Sequence, residues 1–348
     1  ANDLIVEFTE SLELPQIYKR HRDSLHTSSD GQKFGVKGNS IHSAYCYKYF
    51  KKGREATAYS FIDERQLLWH STVIDSFERE ATYVIDGLMH NETIQSTIHS
   101  TDTHGYTEAV FALMNLLGFD FAPRIAKLYK QQLYAFAKNI EYTEKGYKIL
   151  PDGYINTELI EENWDNILRL ITSIKLKECT ASQIFRRLNS YSRQHPVYKG
   201  LKEFGKIVKT IFLLEYIDDV KLRQTIRKQL NKIENANRFS DVVRFANNGE
   251  SIFPTRQEQL VAESSTRLIK NAIICWNYLY LSNQIHQAKT PERKKVILEA
   301  IKAGSIMAWQ HIYFHGLYDF SDENLTDSFD LLASQNFSLD LSSILGDG

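Results

Sequence analysis

The chain is 348 residues long, 43% apolar and 24% charged, with a formal net charge of −1, a make-up that suits a globular protein of one large or two modest domains. Near-neutral charge excludes a uniformly basic nucleic-acid coat, and no run approaches the ~20 apolar residues that a membrane helix needs. Three scattered cysteines, Cys46, Cys179 and Cys275, form neither a zinc motif nor a disulfide framework, and with no basic-then-apolar leader the sequence reads as cytoplasmic.

The first third is patterned for strands. Asp23–Phe34 leads into one, Ile41–Phe50 alternates aromatic and polar residues, and Ala56–Ile62 makes a third; Trp69–Ile74 offers another. Phe77–His90 carries apolar residues at Ala81, Val84, Ile85 and Leu88, a helical spacing. Thr97–Thr101 is a short strand, Glu108–Leu117 a helix closed by Gly118, whose lack of a Cβ suits a left-handed cap, and Phe119–Phe121 one more strand. Consecutive strands followed by helix, strand, helix, strand is the order of an RNase H-like mixed sheet, one of several α/β folds that this pattern allows.

From Ile155 onward Gly and Pro become scarce. Helices are predicted over Ile155–Leu176, Ala181–Leu188, Lys199–Tyr216, Val220–Arg244, Gln257–Gln284 and Pro291–Ala303. Charge is unevenly spread: Lys221–Lys232 and Arg186–Lys202 each hold five basic residues and no acid, whereas six acids and no base follow Ser321. A local basic face is a footprint for a polyanion, though solvated helix faces also look this way.

Two acids stand in motifs. Asp30 lies in Ser28-Ser29-Asp30-Gly31-Gln32-Lys33-Phe34, and Asp102 in Ser100-Thr101-Asp102-Thr103-His104-Gly105-Tyr106-Thr107, at the end of a strand that precedes a helix. Carboxylates at strand ends can meet at one sheet edge and share hard cations. Taken alone, an Asp beside Gly is more often a turn or cap residue.

Longer segments carry a resemblance. SSDGQKF, STDTHGYTEAVFALMNLLGFDFAPRI (100–125), EENWDNILRLITSIKLKE (161–178), LKEFGKIVKTIFLLEYIDD (201–219), QLNKIENANRF (229–239), IICWNYLYL (273–281) and AWQHIYFHGLYDF (308–320) resemble, in order, the catalytic region of Tn-three-family replicative transposases, over about residues 20 to 320. The resemblance implies an α/β, RNase H-like fold with an all-helical insertion before a Glu-bearing helix. It implies catalytic and metal-holding acids at Asp30, Asp102 and Glu234, the last in an LNK-x-E motif where Ile233 replaces the family's usual Gly. Glu250 competes for the third place. Two Mg²⁺ ions, for which Mn²⁺ can substitute, are implied as cofactors.

The expected activity is nicking of transposon 3′ ends and transfer of the 3′-hydroxyl to target DNA, on DNA ends paired by a homodimer. A nuclease of the same fold, or an inactive DNA-binding scaffold, are the other readings. Arg223, Arg227, Lys228 and Arg238 are candidate DNA-backbone contacts; Arg238 follows Glu234 by one helical turn. Trp276 and Asn277 read as core, His104 as an outer neighbour of Asp102, and His311 and His315 as structural. The expected organisation is a lead-in (1–22), a core (23–140), a helical insertion (141–218), a Glu-bearing helix (219–250), a C-terminal helical region (251–320) and an acidic tail (321–348). The end-recognising regions of the family are expected to be missing from this piece.

Overall fold

A computed structural model describes residues 1–20, 24–37, 44–45, 54–75, 78–89, 91, 94–137, 139–190 and 195–319. The acidic tail and most of the expected strand over 41–50 lie outside the described residues. In chain order the elements are α1 (Asn2–Ser11), β1 (His26–Val36), β2 (Ala44–Tyr45), β3 (Arg54–Asp63), β4 (Leu68–Asp75), α2 (Glu80–Met89), β5 (Ile98–Thr101), α3 (Glu108–Leu117), β6 (Asp120–Phe121), β7 (Tyr134–Ala135), α4 (Asn139–Glu144), β8 (Gly153–Tyr154), α5 (Thr157–Lys175), α6 (Ala181–Asn189), α7 (Pro196–Asp218), α8 (Val220–Val243), α9 (Arg256–Gln287) and α10 (Pro291–Ala303).

The main sheet runs β2-β3-β1-β5-β6, with β4 also paired to β3. The β2–β3 and β3–β4 pairs are antiparallel, β1–β5 and β5–β6 parallel. This is a mixed RNase H-like sheet with flanking helices, and in chain order the helical block α5–α7 comes after its strands and before α8, as expected. Two compact units share the chain: Ala1–Leu25, Gln32–Ser76 and Lys232–Gly348 form one, His26–Gly31 and Phe77–Asn231 the other.

In the first unit β3 is buried along almost its whole length, as a strand covered on both faces must be. Its partner β4 is gripped by α9: the Asn271 side chain accepts from the Leu68 N–H (3.1 Å) and donates to the Leu68 carbonyl (2.8 Å), and Arg267 donates to the Trp69 carbonyl (2.8 Å). A Thr255/Glu258 capping box starts α9. The helix α1 was not anticipated. It has no side-chain cap and buries only Val6 and Thr9, so contacts with α9 and β4, not propensity, hold it.

The second unit is built on α3. Thr107 caps its N-terminus, and Gly118 closes it with φ 92°, the left-handed cap that the sequence indicated. Along α3, Ala109 to Met114 and Leu117 are all buried, and α7 crosses it at Gly205. Lys209 on α7 is ion-paired with Glu108 (2.9 Å). Burial pushes the Glu108 carboxyl up, and the bond and charge of Lys209 outweigh it to leave a net lowering.

Candidate active site

The strands β1 and β5 pair in parallel, with His26 opposite Ile98, Thr27 opposite His99, Ser28 opposite Ser100 and Ser29 opposite Thr101. Apart from the half-buried Ile98, these are polar residues and all are buried, and burial without partners would be costly. The side chains satisfy one another laterally. His99 bonds Thr27 Oγ1 through Nδ1 (2.7 Å) and Ser29 Oγ through Nε2 (2.8 Å). Ser100 donates to the Ala122 carbonyl (2.6 Å), which leaves His26 Nε2 as donor to Ser100 (2.8 Å). On the other side of β1, Ser28 meets Gln229 of α8.

Burial, then the charge of His26, lowers His99 from its ordinary 6.5 to about 3. Its contribution to stability is therefore complete above pH 6.5. Between 6.5 and 3 only the unfolded chain takes up the proton, and stability falls by about 1.4 kcal/mol per pH unit. Urea unfolding at pH 7 and pH 5 is expected to show a loss of about 2 kcal/mol from this residue, absent in His99→Gln. An equal slope in that variant would remove His99 as its source.

One residue beyond the last registered pair stand Asp30 and Asp102. Asp30-Gly31 is therefore strand, not the turn that an Asp-Gly pair suggests, because the buried network carries β1 through it. Asp102 opens a tight loop: its Oδ1 accepts from the His104 N–H (2.8 Å) and the Gly105 N–H (3.1 Å). A Cβ on Gly105 would lie 2.5 Å from Thr101 Cβ, so only glycine lets the loop fold back this way. His104 thus serves Asp102 through its backbone, while its ring is exposed. Glu80, the first residue of α2, completes the site. One carboxylate oxygen from each of Asp30, Glu80 and Asp102 lies within 4.8 Å of the others, and all three residues are partly exposed.

The comparisons with known proteins decide the family. Residues 1–318 match the family model described as "Tn3 transposase DDE domain". The chain is 36% identical over 327 residues to the transposase for transposon Tn1546 of Enterococcus faecium, covering 93% of this chain and 32% of that protein. It is 34% identical to the transposase for transposon Tn501 of Pseudomonas aeruginosa (85% of this chain, 30% of that one) and 30% identical to that for transposon gamma-delta of Escherichia coli K12 (92% and 32%). This chain belongs to the Tn3-family transposase DDE domains. It spans about a third of the length of these relatives.

DDE domains generally use divalent metals, and the residues fit one. The donor set in this domain is all carboxylate oxygen, the choice of hard cations such as Mg²⁺ and Mn²⁺. The acid that the sequence reading missed is Glu80. Its only local signal is an acid in a helix's first turn, which the helix dipole favours anywhere.

The other expected site residues of the DDE domain are placed as follows. Glu234 is exposed on α8, its side chain makes no hydrogen bond or ion pair among the described residues, and it is not in the three-carboxylate group. It lies on α8 between Gln229, which bonds Ser28, and Asn237, whose carbonyl accepts from Gln32 (2.9 Å). Arg227, Glu234 and Arg238 recur at helical spacing on the exposed side of α8, and Lys228 is exposed beside them. Arg223 is turned back to the α7 C-terminus, where it donates to the Tyr216 and Ile217 carbonyls.

Glu250 faces Lys37 at 3.5 Å. Asn277 is core, as expected, and donates to the Ile306 and Ala308 carbonyls (both 2.9 Å). Trp276 is 40% exposed and stacks between Tyr280 and His311, a surface position rather than the expected core. His315 packs edge-on against Phe245.

Proposed function

We propose that this domain nicks the 3′ ends of a transposon and transfers the resulting 3′-hydroxyl to target DNA, with Asp30, Asp102 and Glu234 as its catalytic acids. The observation that carries the reading is the side-by-side placement of Asp30 and Asp102 beyond the β1–β5 register, in a chain of this family. Mg²⁺ or Mn²⁺, as two ions, would supply activation of water or hydroxyl and stabilisation of the leaving oxygen in an in-line displacement at phosphorus. Within that chemistry each side chain has a distinct task.

The Asx loop fixes Asp102 through Oδ1, so that Oδ2 is presented in one orientation. The buried hydroxyl–imidazole network fixes the β1–β5 pairing on which the two aspartates stand. Glu234 supplies the third carboxylate from α8, where Arg227, Lys228 and Arg238 meet the phosphate backbone. Arg223, tied to two carbonyls, holds the α7–α8 junction. The DNA partners are inverted-repeat ends and target DNA, brought together by a homodimer.

The test is strand cleavage and joining on a labelled transposon-end duplex with Mg²⁺ or Mn²⁺, comparing the wild type with Asp102→Asn and Glu234→Gln. Loss of both steps in both variants, with folding and DNA binding intact, supports the reading. Joining that survives Glu234→Gln moves the third acid to Glu250, and cleavage without joining by the wild type favours a nuclease.

The α8 face makes a separate prediction. Each phosphate contact contributes about 0.9 to the slope of log affinity against log salt. Arg227→Ala with Arg238→Ala is therefore expected to flatten that slope by about 1.8 between 50 and 200 mM salt, measured by fluorescence anisotropy on duplex DNA. An unchanged slope would remove this face from the interface.

A further inference from the structure

We propose that Glu80 is a metal-binding residue, and that Asp30, Glu80 and Asp102 together load one divalent cation without help from Glu234. The inference rests on the active-site reading above and adds a fourth acid with its own role. All three residues belong to the same compact unit, whereas Glu234 belongs to the other. They reach the site from three separate elements, the middle of β1, the start of α2 and the end of β5. Convergence of acids so far apart in sequence is a product of the fold, not of a local acidic run.

The geometry suits a small hard ion. Mg²⁺ takes oxygens at about 2.1 Å in an octahedron, so neighbouring ligands stand about 3 Å apart and opposite ones about 4.2 Å. Oxygens within 4.8 Å of one another reach such spacings through small rotations of the side chains. The three carboxylates repel one another when empty, and a cation turns that repulsion into coordination.

The side chains divide the labour. Asp102 has one oxygen locked by two backbone N–H groups, which leaves Oδ2 as a fixed ligand. Glu80 has one more methylene and sits on the rigid first turn of a ten-residue helix. It is the long arm that closes the set. A first ion is then bound before DNA arrives, and Glu234 is needed only for the second.

The experiment measures Mn²⁺ binding to the full chain without DNA, reading free Mn²⁺ by electron paramagnetic resonance. Wild type is compared with Glu80→Gln, Glu80→Asp, Asp102→Asn and Glu234→Gln, each checked for folding by circular dichroism. Expected are one Mn²⁺ site in the wild type, a loss of affinity of at least about tenfold in Glu80→Gln and Asp102→Asn, partial retention in Glu80→Asp, and a wild-type value in Glu234→Gln.

A wild-type value in Glu80→Gln with loss in Asp102→Asn overturns the proposal and leaves the active-site reading standing. Loss in Glu234→Gln overturns the division between the acids. Absence of Mn²⁺ binding by the wild type overturns the preloaded ion, and strand transfer in the presence of Mn²⁺ then tests the active site by itself. Should Glu80→Gln fail to fold, backbone cleavage of the wild type by bound Fe²⁺ and peroxide gives a second measurement. Cuts are expected near residues 30, 80 and 102, and cuts that spare the Glu80 region overturn the proposal.

Discussion

Asp102→Asn is expected to lower both nicking and joining about a thousandfold or more, a barrier increase of about 4 kcal/mol, while leaving the melting temperature almost unchanged. The separation of the two effects follows from the loop. An asparagine side-chain oxygen can still accept from the His104 and Gly105 N–H groups that hold Asp102 Oδ1, so the turn over Thr101 survives. What disappears is the negative charge and the ligand strength of the other oxygen. Single-turnover cleavage of an end duplex and thermal denaturation of the same preparation check the pair of outcomes. Activity within tenfold of the wild type would remove Asp102 from the chemistry, and a collapsed melting temperature would assign it to the fold instead.

Gly205→Ala is expected to cost the helical unit about 3 kcal/mol or more, the largest stability effect predicted for an exchange of one hydrogen for a methyl group. A Cβ at Gly205 would lie 1.8 Å from the Glu108 carbonyl oxygen and 2.5 Å from its carbon. Those atoms are backbone at the first turn of α3 and cannot rotate away. The helices must separate, and with them the contacts of Phe111 with Phe212 (5.6 Å between ring centres) and of Lys209 with Glu108. Ile211→Ala on the same helix, at a side chain 54% exposed, is the control and is expected to be nearly neutral. Chemical denaturation of both variants decides the matter: equal midpoints would show that α7 moves aside without cost.

Loss of Asp102 tests the chemistry, and Gly205 tests the packing beneath it. The two depend on each other through α3, which begins only a few residues after Asp102 and carries the Glu108 carbonyl against which α7 lies. A helical block inserted far along the chain thereby packs on the helix that follows the loop of Asp102, a proposed catalytic acid.

Much of this was legible in the sequence because its signals are local. The strand-forming run Ala56–Ile62 of β3, the Gly118 cap of α3 and the helical periodicity of α5 to α10 each arise within a few residues, from steric rules and hydrogen bonds that need no distant partner. The motifs around Asp30 and Asp102 were visible too, and the family resemblance they carry is borne out by the match over residues 1–318.

Only the tertiary structure decided the rest. The run Thr27-Ser28-Ser29 has the composition of a loop, and becomes buried strand because His99, some 70 residues away, satisfies two of its hydroxyls. Asp30 reads as a turn residue until that pairing carries the strand through it. Arg223 looks like one more base on a basic helix, yet two carbonyls of the preceding helix claim it. Glu80 shows in sequence only as an acid at a helix start, and its meeting with Asp30 and Asp102 depends on the β1–β5 register and the return of α2. A linear pattern records what a residue prefers within a turn or two of chain, whereas a site assembled across strands is fixed by which distant partners the fold brings to it.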